Sequence, residues 1–289
     1  MKIVNIIGGL GNQMFQYAYA LVLKNKFKTE NVLLDVHHFN YYKLHNGFEL
    51  KRIFKNINLE IADRTQLRKV TRYIPHYYLS RLIRKILPKL KSEYVEEHFY
   101  AYNDSPFNVI GDCYYEGYWQ VFNYYAPIKD KIISAFKFPD PNGKNKEMVQ
   151  EILSTNSVGI HIRRGDYLNH KDFKGICEID YYRRAINDLD INSEAYKFYI
   201  FSNDISWCKM HIEPLVGNHE IKYVTQNCGY ESFWDMYLMS NCRNLIIANS
   251  SFSWWAAFLN TNADRIYVPT KWINGKNIVD IYDPTWLKI

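Results

Sequence analysis

The sequence predicts an α/β protein built from two Rossmann-like units in tandem. Three observations lead there. The chain opens with a strand, a glycine turn, a helix and a second strand within its first 35 residues. A turn-rich stretch, Pro139-Asp140-Pro141-Asn142-Gly143-Lys144-Asn145-Lys146, interrupts it near the middle. Beyond that stretch, apolar runs of strand length alternate with amphipathic segments of helix length, the pattern of a parallel sheet with crossover helices. A chain of 289 residues with 47% apolar content suits two domains of ordinary size. The expected domains are 1–140 and 148–289.

In order, residues 2–7 read as a buried strand and Gly8-Gly9-Leu10-Gly11-Asn12-Gln13 as a turn. Residues 14–26 form a helix with Phe15, Ala18, Tyr19 and Val22 on one side. Val32-Leu33-Leu34-Asp35 is the second strand. Residues 62–91 read as helical, interrupted at Pro75 and Pro88. A strand falls within 108–119 and a helix over 124–136. In the second half, strands are expected at 157–163, 197–202, 221–224, 244–248 and 265–268. Helices fill the gaps near 181–189, 204–213, 230–241 and 252–260. Two such units joined by a linker place their strand ends face to face across a cleft, and ligands of open parallel sheets sit at those ends.

Composition narrows the function. The five cysteines are scattered, odd in number and without a C-x-x-C pair, so they read as free thiols of a reducing compartment. No signal peptide is evident, and no apolar run reaches the roughly 20 residues of a membrane helix. From Arg64 to Lys91 there are nine Lys or Arg and no Asp or Glu, interleaved with apolar residues. Such a stretch is either a solvated helix face or a contact with an anionic membrane surface. No nucleic-acid-binding motif accompanies it. The expected location is cytoplasmic, with 64–91 as a peripheral contact at the inner membrane face. The 25 Tyr and 7 Trp combine apolar faces with polar handles, which suits sugar binding as well as core packing.

Chemistry concentrates in four stretches. Val158-Gly159-Ile160-His161-Ile162-Arg163-Arg164-Gly165-Asp166-Tyr167 carries an apolar strand into a cluster of His, Arg, Gly and Asp. Strand alternation puts His161 and Arg163 on one face and Arg164 on the other. A guanidinium fork matches a phosphate and cannot lose its charge, and Asp166 can orient it. The plainer reading is an ion pair that staples a loop. Asn249-Ser250-Ser251-Phe252-Ser253-Trp254-Trp255 follows an apolar strand and opens a helix, where hydroxyls and free backbone N–H groups suit a phosphate or simply cap the helix. Asp235 lies in the preceding helix; a carboxylate there can accept from both N1–H and the N2 amino group of guanine, although most helical Asp are surface residues.

Gly9-Leu10-Gly11 after the first strand invites a dinucleotide reading, with Asp35 at the ribose position. However, the third glycine of G-x-G-x-x-G falls at Met14, which weighs against NAD or FAD. What remains is a tight turn with Asn12 and Gln13 at a helix start. Asp188-Leu189-Asp190 has the form of a metal-holding D-x-D but falls at a helix end, so it reads as surface and no metal is expected.

Taken together, Gly8-Gly9-Leu10-Gly11-Asn12-Gln13-Met14-Phe15-Gln16-Tyr17, His161-Ile162-Arg163-Arg164-Gly165-Asp166-Tyr167, Phe201-Ser202-Asn203-Asp204 and Asn249-Ser250-Ser251-Phe252-Ser253-Trp254-Trp255 closely resemble the α-1,2-fucosyltransferases of glycosyltransferase family 11. The resemblance spans nearly the whole chain. It implies a GT-B fold, GDP-fucose as donor, inversion at the fucose anomeric carbon, no metal, and a galactose-containing glycan as acceptor. It further implies that Arg163 meets the donor β-phosphate, that His161 and Asp235 contact guanine, and that Ser250, Ser251 and Ser253 bind phosphate, with Asn249 and Phe252 in the same turn. Gly11, Asn12 and Gln13 would approach the same cleft. The first motif begins at residue 8, which resembles a bacterial soluble form. On this reading Arg163 stabilises the charge growing on the leaving phosphate and Asp166 holds it in place. The general base is Asp35 by its strand-end position, with Glu49, Glu116 and Asp172 open. A transferase of another nucleotide sugar, an NAD-dependent Rossmann enzyme and a non-catalytic glycan-binding protein are the alternatives.

Overall fold

The computed structural model describes residues 1–41, 45–191, 194–277 and 279–289. The chain divides into two compact units, Met1–Pro139 with Val279–Tyr282, and Asp140–Ile278 with Asp283–Ile289. Each is a parallel sheet with helices, as the alternation of elements predicts.

The first unit contains β1 (Lys2–Asn5), α1 (Leu10–Lys26), β2 (Val32–Asp35), α2 (Leu50–Ile53), α3 (Arg64–Val70), α4 (Tyr77–Ile86), β3 (Glu93–Val95), β4 (Cys113–Glu116), α5 (Phe122–Tyr125) and α6 (Lys129–Ala135). Its sheet runs β2-β1-β4-β3, all parallel. The short β3 escapes a sequence reading because Glu93-Tyr94-Val95 is only half buried and carries no apolar run. The helix expected over 124–136 is broken by a 3₁₀ turn at Ala126–Ile128, where Pro127 supplies no N–H for a continuous helix. Helix α1 packs its aromatic face on the sheet, with Tyr19 stacked on Trp119 at 3.8 Å. Helix α3 starts at a capping box of Asp63 and Gln66.

The second unit contains α7 (Gly143–Ser154), β5 (Ser157–Ile162), α8 (Ile179–Asp188), β6 (Lys197–Ser202), α9 (Ile205–His211), α10 (Glu213–Val216), β7 (Glu220–Val224), α11 (Phe233–Met239), β8 (Asn244–Ile246), α12 (Ser251–Leu259), β9 (Arg265–Val268) and β10 (Leu287–Lys288). Its six-stranded sheet runs β10-β9-β8-β5-β6-β7 and is parallel throughout. Gly159 lies on the crowded central strand. A Cβ there would stand 2.9 Å from Cys242 Sγ and 3.0 Å from a Leu245 methyl, so only glycine lets this strand pack.

Two boundaries differ from the expected ones. Helix α7 begins at Gly143, inside the stretch expected to be linker. Residues 279–282 cluster with the first unit, not the second, because Asp280 is tied there on three sides. Its carbonyl accepts from Phe122 N at 2.6 Å, and its carboxylate accepts from Tyr102 N at 2.8 Å and Asn123 Nδ2 at 2.9 Å.

In both sheets later strands are added on the side of the first strand opposite to the second. In the second unit the change of side lies between β5 and β8, and in the first between β1 and β4. Such switch points open a crevice at the carboxyl ends of the strands.

Candidate active site

The second unit's switch point gathers most of the predicted donor-site residues. β5 ends at Ile162, so Arg163 and Asp166 follow its carboxyl end, and Asn249 and Ser250 follow β8. His161, the last inward residue of β5, is 7% exposed, and its Nδ1 lies 2.8 Å from Ser253 Oγ on α12. Burial and the neighbouring Arg163 charge push its pKa down to about 3, so the ring is neutral. Its Nε2 carries no hydrogen bond among the described residues and is available to a ligand. Ser253 also lies 3.3 Å from the Ala248 carbonyl and 3.4 Å from that of Ser250, which fixes the hydroxyl against the turn.

Arg163 grips Asp166 bidentately, Nε to Oδ1 at 2.9 Å and Nη2 to Oδ2 at 3.1 Å. This is the pairing expected of Asp166, and it leaves the outer Nη1 corner of the guanidinium for another anion. Arg164 goes to the opposite face, as strand alternation requires. It stacks 4.2 Å over Trp207 and lies 3.5 Å from both Asp204 and Glu178, so its role is structural. The sharp turn depends on Gly165. A Cβ there would meet Asn203 Nδ2 at 2.4 Å, while Asn203 Oδ1 accepts from Arg164 N at 3.0 Å. The Asn203-Asp204 block thus shapes the Arg163 turn from behind, and Asp204 caps α9 through Trp207 N at 3.0 Å.

Ser250 is the N-cap of α12, and its Oγ accepts from Phe252 N at 3.4 Å. Ser251 and Phe252 follow in the first turn, half buried. Asn249 holds the turn down, donating to the Trp272 carbonyl at 3.0 Å and accepting from Cys177 Sγ at 3.5 Å. Tyr167 completes this edge. Its hydroxyl donates to the Asn249 carbonyl at 3.3 Å, and its ring lies 5.6 Å from the Arg163 guanidinium. The chemical sum is a fixed cation, a helix N-terminus and a neutral imidazole at one strand edge, a combination whose charge and donors are complementary to an anion.

Asp235, on α11, is half buried, and desolvation raises its pKa to about 7 against the opposing hydrogen bond from Asn227, whose Nδ2 donates to Oδ1 at 2.8 Å. Asn227 is itself locked by Asn145 in two side-chain bonds of 2.9 and 3.0 Å. Sequence reasoning missed Asn227 and Asn145 because a lone Asn in a loop carries no pattern.

The first unit's motif is tied into its own loops. Gln13 is fully buried, and both its amide hydrogens are taken, by the Gly8 carbonyl at 2.9 Å and the Gly47 carbonyl at 2.7 Å, while Oε1 accepts from Glu49 N at 2.9 Å. Gln16 likewise ties Ile7 N to the Gly117 carbonyl. Gly11 is buried in the first turn of α1, and Asn12 Oδ1 accepts from Gln120 Nε2 at 3.0 Å. Gln13 and Gln16 therefore staple the loops around the first switch point. Asp35, the expected base, is held by protein donors. It is 4% exposed, His37 occupies Oδ1 through its backbone N and ring Nδ1, both at 3.0 Å, and Tyr114 OH donates to Oδ2 at 2.8 Å. Burial alone would raise its pKa, but these donors leave it lowered. Burial and three donors hold this anion in place and leave Oδ2 with one further acceptor position. Glu49 is held by Arg52 at 2.9 Å, Glu116 pairs with Arg84, and Asp172 lies half-buried beside His170 in the second unit. Among the described residues no group of three or more His, Cys, Asp or Glu is placed to hold a metal ion. Asp188 of the D-x-D accepts from Tyr267 OH at 2.9 Å.

The family model for glycosyl transferase family 11 matches residues 1–289. An alpha-1,2-colitosyltransferase of Escherichia coli is 33% identical over 99% of this chain and 98% of its own. The galactoside alpha-(1,2)-fucosyltransferase 2 of Hylobates lar is 24% identical over 98% of this chain and 76% of its own length. Among solved structures, the NodZ alpha-1,6-fucosyltransferase co-crystallized with GDP superposes with a TM-score of 0.52 at 12% identity, covering 92% of this chain and 93% of that one, a likeness of fold. These matches displace the dinucleotide-enzyme reading of the glycine turn, where Met14 is fully buried against the core. The two parallel α/β units are GT-B-like, and the chain is a glycosyltransferase belonging to family 11.

Proposed function

We propose that the protein moves L-fucose from GDP-fucose to the 2-hydroxyl of a galactose residue in an oligosaccharide or surface polysaccharide, with inversion at the anomeric carbon. The observation that carries this reading is the Arg163 fork, clamped by Asp166 at the end of β5 in the same unit as the Ser250-capped helix N-terminus. The acceptor hydroxyl attacks C1, and the C1–O bond to phosphate breaks with its electron pair going to GDP. The hydroxyl proton passes to solvent as the new bond forms. Charge grows on the β-phosphate, where Arg163 and the first-turn amides of α12 meet it in place of a metal. Asp235 reads the guanine edge.

A second reading is favoured by the 33% identical relative named for colitose, a 3-deoxy counterpart of fucose. Parallel turnover of GDP-fucose and GDP-colitose with galactose-terminated oligosaccharides, in EDTA and followed by linkage analysis, separates the two. Transfer of fucose in α-1,2 linkage without metal is the expected result. A strong preference for colitose moves the donor assignment, and loss of turnover in EDTA removes the metal-free reading.

We further propose that the 64–91 stretch meets an anionic membrane surface. No helix among the described residues is long and apolar enough to cross a membrane. Helix α4, however, leaves Leu82 56% and Ile86 72% exposed beside the exposed Arg81 and Lys85, a face that suits an anionic lipid surface. The protein is expected to sediment with phosphatidylglycerol vesicles and not with phosphatidylcholine vesicles, and L82E with I86E to abolish it. Equal recovery in both supernatants would refute this contact.

A further inference from the structure

The first unit's own switch point, between β1 and β4, holds a cavity of about 230 Å³. Its floor is the carboxyl edge of the sheet, with Asn5 ending β1, Glu116 ending β4 and Glu96 just beyond β3. Helix α4 walls one side with Tyr77, Ser80 and Arg84, and Phe99 and Tyr118 add aromatic surface. The lining charges balance, Arg81 and Arg84 against Glu96 and Glu116; Arg84 pairs with Glu116 and with Glu93 behind it, and Glu96 accepts from the backbone N–H groups of Tyr118 at 2.7 Å and Trp119 at 3.1 Å.

Three buried polar atoms at this cavity have no hydrogen-bond partner among the described residues; one, Glu116 Oε2, is met by the Arg84 ion pair, and two have no partner of either kind. These two are Asn5 Oδ1, on a residue 5% exposed, and His38 Nδ1, on a residue 8% exposed. Buried polar atoms are nearly always satisfied, so two such acceptors lining one cavity are placed to take hydrogen bonds from a molecule that enters it. The protonation of His38 identifies what that ligand must offer. Desolvation lowers its pKa, and its bond to the Ile74 backbone takes one ring nitrogen as donor. Nδ1 is then a bare lone pair, and Asn5 Oδ1 is an acceptor as well. Both call for neutral donors, namely hydroxyls. The size suits one ring and not a chain, being smaller than the roughly 300–1,000 Å³ of drug-sized sites. Tyr77, Phe99 and Tyr118 supply the apolar faces on which a sugar ring packs.

We propose that this cavity seats a single neutral pyranose of the acceptor, with His38 Nδ1 and Asn5 Oδ1 accepting hydrogen bonds from its hydroxyls. The proposal rests on the glycosyl-transfer reading and gives its acceptor a place and a chemical class. His38 and Asn5 are binding and positioning groups, independent of Arg163.

The test uses the full chain with His38→Gln, which can keep a donor toward Ile74 while removing the ring lone pair, and Asn5→Ala. Ligand-observed NMR with methyl β-galactopyranoside is expected to show binding to the parent protein and its loss in both variants. With GDP-fucose as donor, the acceptor KM should rise about tenfold in each variant, the value of one net hydrogen bond. The donor KM, the GDP-induced thermal shift and the melting temperature should stay unchanged. Galactoside signals equal in parent and variants, or absent from the parent, overturn the pocket. So does a lost melting transition in both variants, which would make the two groups structural. No thermal shift with GDP in the parent protein instead overturns the donor reading and leaves the galactoside result to judge the cavity by itself.

Discussion

Arg163→Ala is expected to lower kcat about 10²–10³-fold with a GDP-sugar donor, the usual loss when one fixed donor to developing charge is removed. The fold should not notice. The Arg163–Asp166 pair is exposed, 38% and 61% at the two side chains, and exposed pairs contribute only about 0–1 kcal/mol. A pair that stabilises so little yet is held bidentately is placed for something other than the fold. Arg163→Lys keeps the charge but not the fork, so it should recover only part of the loss. Asp166→Ala should give a smaller defect than Arg163→Ala, since the cation stays but loses its orientation. Steady-state kinetics beside thermal melts decide the matter. Turnover within threefold of the parent protein would return Arg163 to the role of a loop staple.

The strand-end chemistry was legible because it obeys alternation. His161 and Arg163 on one face and Arg164 on the other follow from period two alone, and the structure adds only what each one touches. The turn after β8 was legible for a similar reason, an apolar run meeting Ser and Asn before a helix. What pattern could not supply is whether a polar residue is free or spent. Gln13 and Asp35 occupy positions where ligand-binding groups are common, and both turn out to be engaged by protein partners remote in sequence, Gly47 and Tyr114. Conversely, His38 stands in no motif. It is distinguished only by a vacant lone pair, which depends on the loop around Ile74 and the helix that carries Tyr77. Long-range satisfaction of polar groups is thus where reading from sequence ends.

The second large effect should come from Asp235. An ionised carboxylate can accept from N1–H and the N2 amino group of guanine together, whereas the amide of Asp235→Asn must turn a donor toward one of them. Two charge-assisted bonds at about 1.5–3 kcal/mol each correspond to a loss of roughly 10²–10⁴ in GDP affinity. The pKa of about 7 gives this prediction a second readout. The group is raised above the ordinary carboxylate range, so below pH 7 it is mostly protonated in the free protein, and a ligand that requires the anion must first displace the proton. GDP affinity should therefore fall about tenfold per pH unit below 7 and level off above it. ADP, which presents no such pair of donors, should bind weakly at every pH, and Asp235→Asn should erase both the pH dependence and most of the preference for GDP. Asn227→Ala, which removes the hydrogen bond that favours the ionised form, should shift the break to higher pH without abolishing it. Calorimetric titration of GDP and ADP from pH 5.5 to 8.5 reads all of these at once. A GDP affinity that is flat across that range and unchanged in Asp235→Asn would place the guanine elsewhere.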